Sequence, residues 1–165
     1  MKQPALYRML TEDQLVSADQ RALLETAAAL RRAEQAGFAQ PLLRGKHIAL
    51  MCGDPHCETA RRFLDAATRL GAQVSRIQAD AAATGPDDGE RDARMLGRLY
   101  DALECEHAPA EVAERLRRIA GVPVFNGVAR PGNALMQLWA SQTPVEPTEA
   151  EERSLVQSLL VHTLG

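Results

Sequence analysis

Residues 43–71 read LRGKHIALMCGDPHCETARRFLDAATRLG. Arg44-Gly45-Lys46 is a turn, and His47-Ile48-Ala49-Leu50-Met51 is a short apolar run suited to a buried strand. Pro55 follows. A helix-period stretch then sets Phe63, Ala66, Ala67 and Leu70 on one face, and Gly71 ends it. Gln73 to Ile77 reads as a second strand. Strand, helix and strand in such short order are the unit from which parallel sheets are built.

Upstream, Ser17-Ala18-Asp19-Gln20 has the form of a capping box. Leu23, Leu24, Ala27 and Leu30 then recur at helical spacing, and Gly37 offers a stop. Downstream, Ala79 to Asp88 is rich in Ala, Gly and Asp and reads as a loop. Arg91 to Leu99 reads as a helix and Tyr100 to Cys105 as a third strand. Pro109 to Ala120 is an amphipathic helix with Pro109 near its start, where a missing N–H costs little. Val122 to Phe125 is a fourth strand and Asn133 to Ala140 another helix. The expected fold class is α/β: a four-stranded parallel sheet with helices on both faces, joined by right-handed crossovers. Pro144 and Pro147 bracket a linker, and Thr148-Glu149-Ala150-Glu151 opens a last helix running to about Thr163. Its Leu155, Val156, Leu159, Leu160 and Leu164 predict one apolar face. The expected division is residues 1–143 as one domain, with residues 144–165 a linker and a C-terminal helix packing on that same domain.

A chain of 165 residues suits one compact domain. It is 45% hydrophobic and 25% charged, with a formal net charge of −3, and the Arg-rich stretches are interleaved with Asp and Glu as on solvated helix faces. Nothing there favours a nucleic-acid partner. No apolar run approaches the roughly 20 residues that span a bilayer, so no membrane partner is expected. The N-terminal stretch lacks the apolar core of an export signal, and Cys52, Cys57 and Cys105 are an odd number of cysteines. A reducing cytoplasm without a disulfide framework is the expectation.

Three stretches together resemble the aspartate/ornithine carbamoyltransferase family, in its N-terminal carbamoyl-phosphate-binding domain. Leu43 to Leu50, with Pro55, Phe63 and Arg69 to Ala72, is similar to a run in which "L-x-G-K-x-x-A-L" leads into "P-S-T-R-T-R-V-S-F" and "L-G". Asp92 to Leu96 and Tyr100 to Ala102 resemble "D-T-A-R-V-L…Y-x-D-A". Val122 to Gly127, then Pro131, Asn133, Ala134 and Leu135, resembles "V-P-V-I-N-G" followed by "H-P-x-Q-A-L". The three occur in order with near-matching spacing, over residues from about 15 to 141. Family members carry a second domain for the amino-acid substrate, which this sequence lacks, and a final helix that returns to pack on the first domain. The resemblance also implies a homo-oligomer, a trimer built through this domain, and a place in amino-acid metabolism.

It further implies a site where a helix N-terminus cradles a phosphate dianion and arginines neutralise it. Pro55 and Phe63 fix the register of the first motif. The family's serine position then holds His56, the next Cys57, and the first arginine position Glu58. Thr59 is retained, and Ala60 stands at the second arginine. Glu106 takes the place of an arginine near the end of the third strand, and "H-P-x-Q" becomes Arg130-Pro131-Gly132-Asn133. A like charge at about 5 Å in an effective dielectric of about 20 costs on the order of 3 kcal/mol. Carbamoyl phosphate is therefore not expected to bind in the family's manner. Arg130 restores one cation, and Arg61 and Arg62 are expected to point elsewhere.

Several local readings stand side by side. His56, Cys57 and Glu106, with Glu58, Cys105 and His107, sit near strand ends and offer Zn²⁺ ligand chemistry, beside the simpler reading of solvated loop residues. Glu58 or Glu106 either pairs with Arg130 or faces water. Cys57 near a helix N-terminus has a reason for a lowered thiol pKa, which Glu58 opposes. Cys52 and Trp139 read as packing residues, and Asn126-Gly127 as a turn. No cofactor is expected and no residue is assigned a catalytic role. Three functions remain in view. One is a non-catalytic carbamoyltransferase-like domain, a pseudoenzyme, that binds an anionic or other small molecule or a protein partner. Another is a carbamoyltransferase subunit completed by a second chain. The last is a metal- or thiol-dependent site in the old pocket.

Overall fold

The computed structural model describes residues 17–38, 40–78, 86–106 and 108–165. Its elements run α1 (Ser17–Gln35), β1 (His47–Cys52), α2 (Glu58–Arg69), β2 (Gln73–Gln78), α3 (Pro86–Leu99), β3 (Ala102–Cys105), α4 (Ala110–Ala120), β4 (Val124–Asn126), α5 (Ala134–Gln142) and α6 (Glu149–Leu164). The four strands form one parallel sheet in the order β2-β1-β3-β4. The expected α/β class is thus what the chain adopts.

Helices cover both faces, as the doubly apolar strands require. On one face, Ile48 and Leu50 of β1, Ala102 of β3 and Phe125 of β4 join a large cluster with α1, α2, α5 and α6. On the other, Ala49, Met51, Leu103 and Val124 meet Ala93 and Leu96 of α3 and Leu116 of α4. Gly97 allows α3 and α4 to touch. A Cβ there would lie 1.8 Å from the Ala120 carbonyl oxygen, so any other residue forces the helices apart.

Three local differences from the sequence reading have physical causes. Residues 86–88 belong to α3 rather than to a loop, because Pro86 suits a first helical position where its missing N–H is an orphan anyway. Residues 79–85 of that expected loop lie outside the described residues, as does the Ser17 side chain of the upstream capping box. At the third strand, Asp101 is held off the ladder. Its carboxylate accepts from the His47 N–H at 2.8 Å and its own N–H donates to His47 O at 2.7 Å, so β3 begins at Ala102. Finally, α6 buries more than one face. Residues 154–160 are all buried, because the helix lies against both α1 and α2.

A complete capping box starts α6. The Thr148 hydroxyl accepts from Glu151 N–H at 3.3 Å, and the Glu151 carboxylate accepts from Thr148 N–H at 2.8 Å. The buried Ser158 and Gln157 side chains of α6 find backbone partners. Ser158 donates to Leu23 O at 2.7 Å and Gln157 to Ala66 O at 3.2 Å.

Candidate functional site

β1 has β2 on one side and β3 on the other, so the chain reverses its progress across the sheet at the β1–β3 junction. Open α/β sheets form a crevice beyond the strand ends at such a junction. Here it is lined by the turn before α2 and the turn after β3. Asp54 shapes the first turn, its Oδ1 accepting from His56 N–H at 2.9 Å and its carbonyl from Cys57 N–H at 3.2 Å. Cys57 is then the N-cap of α2, its Sγ accepting from Ala60 N–H at 3.3 Å. The second turn is tied to the first strand, because Glu106 N–H donates to Met51 O at 3.0 Å.

This arrangement brings the Glu106 carboxylate close enough to act on the Cys57 thiol. Burial pushes the Cys57 thiol up from its ordinary pKa. The Ala60 N–H pulls it down, and Glu106, with Asp54 behind it, pushes it further up. The lowered thiol pKa suggested by a helix N-terminus is therefore reversed, and the opposing carboxylate is Glu106 rather than Glu58. Cys52 is raised by burial first and then by Glu106, and Cys105 by burial to about 12. All three are held as neutral thiols with little nucleophilic character.

The other candidate positions separate. Glu58 projects outward and pairs with Arg62 one helical turn on, at 2.8 Å. The proposed Glu58–Arg130 and Glu106–Arg130 pairs are absent among the described residues. Thr59 is half-buried and Ala60 is packed in the core. Asn133 is fully committed as the N-cap of α5. Its Oδ1 accepts from Leu135 and Met136 N–H at 2.8 and 3.1 Å, and its Nδ2 donates to Val128 O and Arg130 O, each at 2.6 Å. It has nothing left for a carbamoyl group. His107 lies outside the described residues. No three His, Cys, Asp or Glu side chains among the described residues stand close enough to hold a metal, which removes the His56–Cys57–Glu106 ligand set. Asn126 ties its turn to Ala108, donating to the carbonyl at 3.0 Å, and Trp139 donates to Val145 O at 2.8 Å.

His56, Glu58, Arg130 and Pro131 do share one feature, a groove of about 880 Å³ running over α2 between the β4–α5 turn and α6. Arg61 and Arg62 also line it, on a face of α2 away from Cys57 and Glu106. The groove takes in the outer face of α2. Arg62 is engaged by Glu58 and Glu152, and Arg153 by Glu34 and Asp65. Arg61, Arg76 and Arg130 make no ion pair among the described residues.

One residue escaped the sequence reading. Glu104 of β3 is 1% exposed, opposite Leu50 and Phe125 in the sheet. Its Oε1 accepts from Gly127 and Val128 N–H at 2.9 and 3.2 Å, and its Oε2 has no partner. Burial pushes its pKa up to about 8, against the pull of the two N–H groups. A carboxylate inside an otherwise apolar strand was the available signal.

A sequence model of the "Aspartate/ornithine carbamoyltransferase, carbamoyl-P binding domain" matches residues 8–141. The chain belongs to that family. The catabolic ornithine carbamoyltransferase of Burkholderia mallei is 42% identical over 109 residues, which are 66% of this chain and 32% of that protein. The Pseudomonas putida catabolic ornithine carbamoyltransferase is 39% identical over the same length, again covering 66% and 32%. The chain thus spans about a third of the length of these curated relatives. Among solved structures, ornithine carbamoyltransferase from Pyrococcus furiosus superposes with a TM-score of 0.59 at 26% identity, covering 74% of this chain and 38% of that one. Ligand-free aspartate transcarbamoylase from Trypanosoma cruzi gives 0.58 at 26% identity, covering 69% and 36%.

Proposed function

We propose that this chain is a carbamoyl-phosphate-binding domain of the carbamoyltransferase family that no longer transfers carbamoyl groups and binds a different anionic small molecule. The observation that carries the reading is that the Glu106 carboxylate, just past β3, acts on Cys57, the N-cap of α2. A helix N-terminus attracts a phosphate through its free N–H groups and partial positive charge. Here one of those N–H groups is taken by Cys57 Sγ, and a carboxylate occupies the approach. A dianion brought there meets a like charge at short range, which costs on the order of 3 kcal/mol. The neighbouring groove keeps Arg61, Arg76 and Arg130 available for an anion on a different footing.

Calorimetric titration with carbamoyl phosphate is expected to give no saturable binding at micromolar concentration, and stoichiometric micromolar binding would falsify the proposal. Glu106→Arg, which exchanges the offending charge for the family's, is expected to introduce measurable phosphate affinity. Paired Arg61→Ala and Arg130→Ala substitutions are expected to abolish retention of anionic metabolites on the immobilised protein and to leave neutral ones unaffected.

A second reading draws on the short span of the chain relative to its relatives. A separate chain supplying the amino-acid domain would complete a carbamoyltransferase. Co-purification of such a chain, with carbamoyl transfer appearing only in the complex, would establish it. For either reading, family resemblance favours a homo-oligomer, a trimer, working in the cytoplasm. A monomer's mass by light scattering would remove that part.

A further inference from the structure

The turn from Gly127 to Arg130 leaves β4 and carries Arg130 to the groove. It is held from below at two N–H groups by one oxygen, Oε1 of Glu104. Gly127 N–H is shared with Cys105 O at 2.7 Å, and Arg130 N–H closes the turn on Gly127 O at 3.1 Å. Gly127 has φ +69°, and a Cβ there would meet Arg130 Cδ at 2.4 Å, so the arginine stem folds directly over the glycine. Movement of the Gly127–Val128 backbone therefore moves Arg130.

We propose that Glu104 is a positioning residue for Arg130, a buried latch whose carboxyl proton sets whether the turn is held. The unpartnered Oε2 is where the proton resides. In the neutral acid, Oε1 accepts from both turn N–H groups and no charge is buried. On ionisation the proton passes to solvent and a carboxylate is left on the apolar face of the sheet. Leu50 and Phe125 flank it in register, and helices α2 and α5 supply apolar side chains to the same cluster. The charged group felt there is Glu106, which repels it. Arg117 of α4 acts on Cys105, on the opposite face. An ionised Glu104 gains by turning toward water, and in doing so it releases Val128 N–H and leaves Gly127 N–H to Cys105 O alone. The latch is independent of what the groove binds.

Nitrogen–proton correlation spectra across a pH series test it. The Gly127 and Val128 amides, together with the Arg130 side-chain N–H, are expected to shift with one shared midpoint near 8, matching the raised carboxyl. In Glu104→Gln, whose amide oxygen keeps the acceptor and cannot ionise, the three signals are expected to stay in the held position throughout. Flat wild-type signals, or an unchanged titration in Glu104→Gln, would overturn the latch. Should Glu104→Gln not fold, carbon spectra of glutamate-labelled wild-type protein read the carboxyl itself. A midpoint shared with the amides supports the latch, and an ordinary carboxylate midpoint overturns it.

Discussion

The two faces of the sheet are covered unequally. The face under α1, α2, α5 and α6 holds Leu23, Leu50, Phe63, Leu155, Leu159 and Leu160, all fully buried, in one cluster. The face under α3 and α4 holds a smaller cluster, and Met95 and Leu99 of α3 stay 51% and 60% exposed. α6 is what separates them. It adds a third helix beside α1 and α2 and ties them with charges as well as apolar contacts, since Arg153 reaches Glu34 at 3.0 Å and Asp65 at 3.5 Å. Burial scales with apolar area, so the face with the extra helix carries more of the stability. The strand-end turns rest between the two, and there the structure holds a buried carboxyl instead of a side chain that packs.

The contrast is most exposed to substitution at Phe63. Phe63→Ala is expected to lose about 3–5 kcal/mol by urea denaturation, and Leu96→Ala, in the thinner cluster, nearer 2 kcal/mol. Equal losses would mean that the faces are equivalent.

Next in size is the pH effect of the carboxyl between them. The pKa of Glu104 is raised in the folded protein, from 4.5 to about 8, so the folded state keeps a proton that the unfolded chain releases. The stabilising effect is complete below about 4.5 and lost as pH rises toward about 8. A fall of up to about 4–5 kcal/mol in unfolding free energy across that window is expected. Glu104→Gln is expected to flatten it, and a slope unchanged in that variant would assign the effect elsewhere.

Smaller effects test the attachment of α6. Thr148→Ala removes its cap and is expected to cost about 1 kcal/mol, seen as lowered amide protection in α6 ahead of α4. Glu34→Gln weakens the links to Arg69 and Arg153 and is expected to cost less than about 1 kcal/mol, with the loss shrinking in salt. A salt-independent loss would show that Glu34 acts by packing.

Strand and helix positions were legible because periodicity acts over a few neighbouring residues. The run from His47 to Met51 could only be a buried strand, and Phe63, Ala66 and Ala67 could only face a core. The family was legible too, in three motifs that fall in order within the residues the family model matches. Pairing across the site was not. Glu58 had a local partner one turn away in Arg62, which a long-range pair with Arg130 cannot easily displace, and Asn133 had four backbone groups within five residues. Both are short-range solutions that the spacing contains in principle, obscured by reading those residues as ligands.

The sequence by itself therefore determined the α/β class, the order of elements and the family. Each of these is a property of residue type and local spacing. Only the tertiary structure decided that Glu106 meets Cys57, that Arg61 and Arg130 share a groove, and that Glu104 holds the turn after β4. Those contacts join residues from different strands and helices, and their distances follow from how the sheet stacks its neighbours and how the helices settle on it.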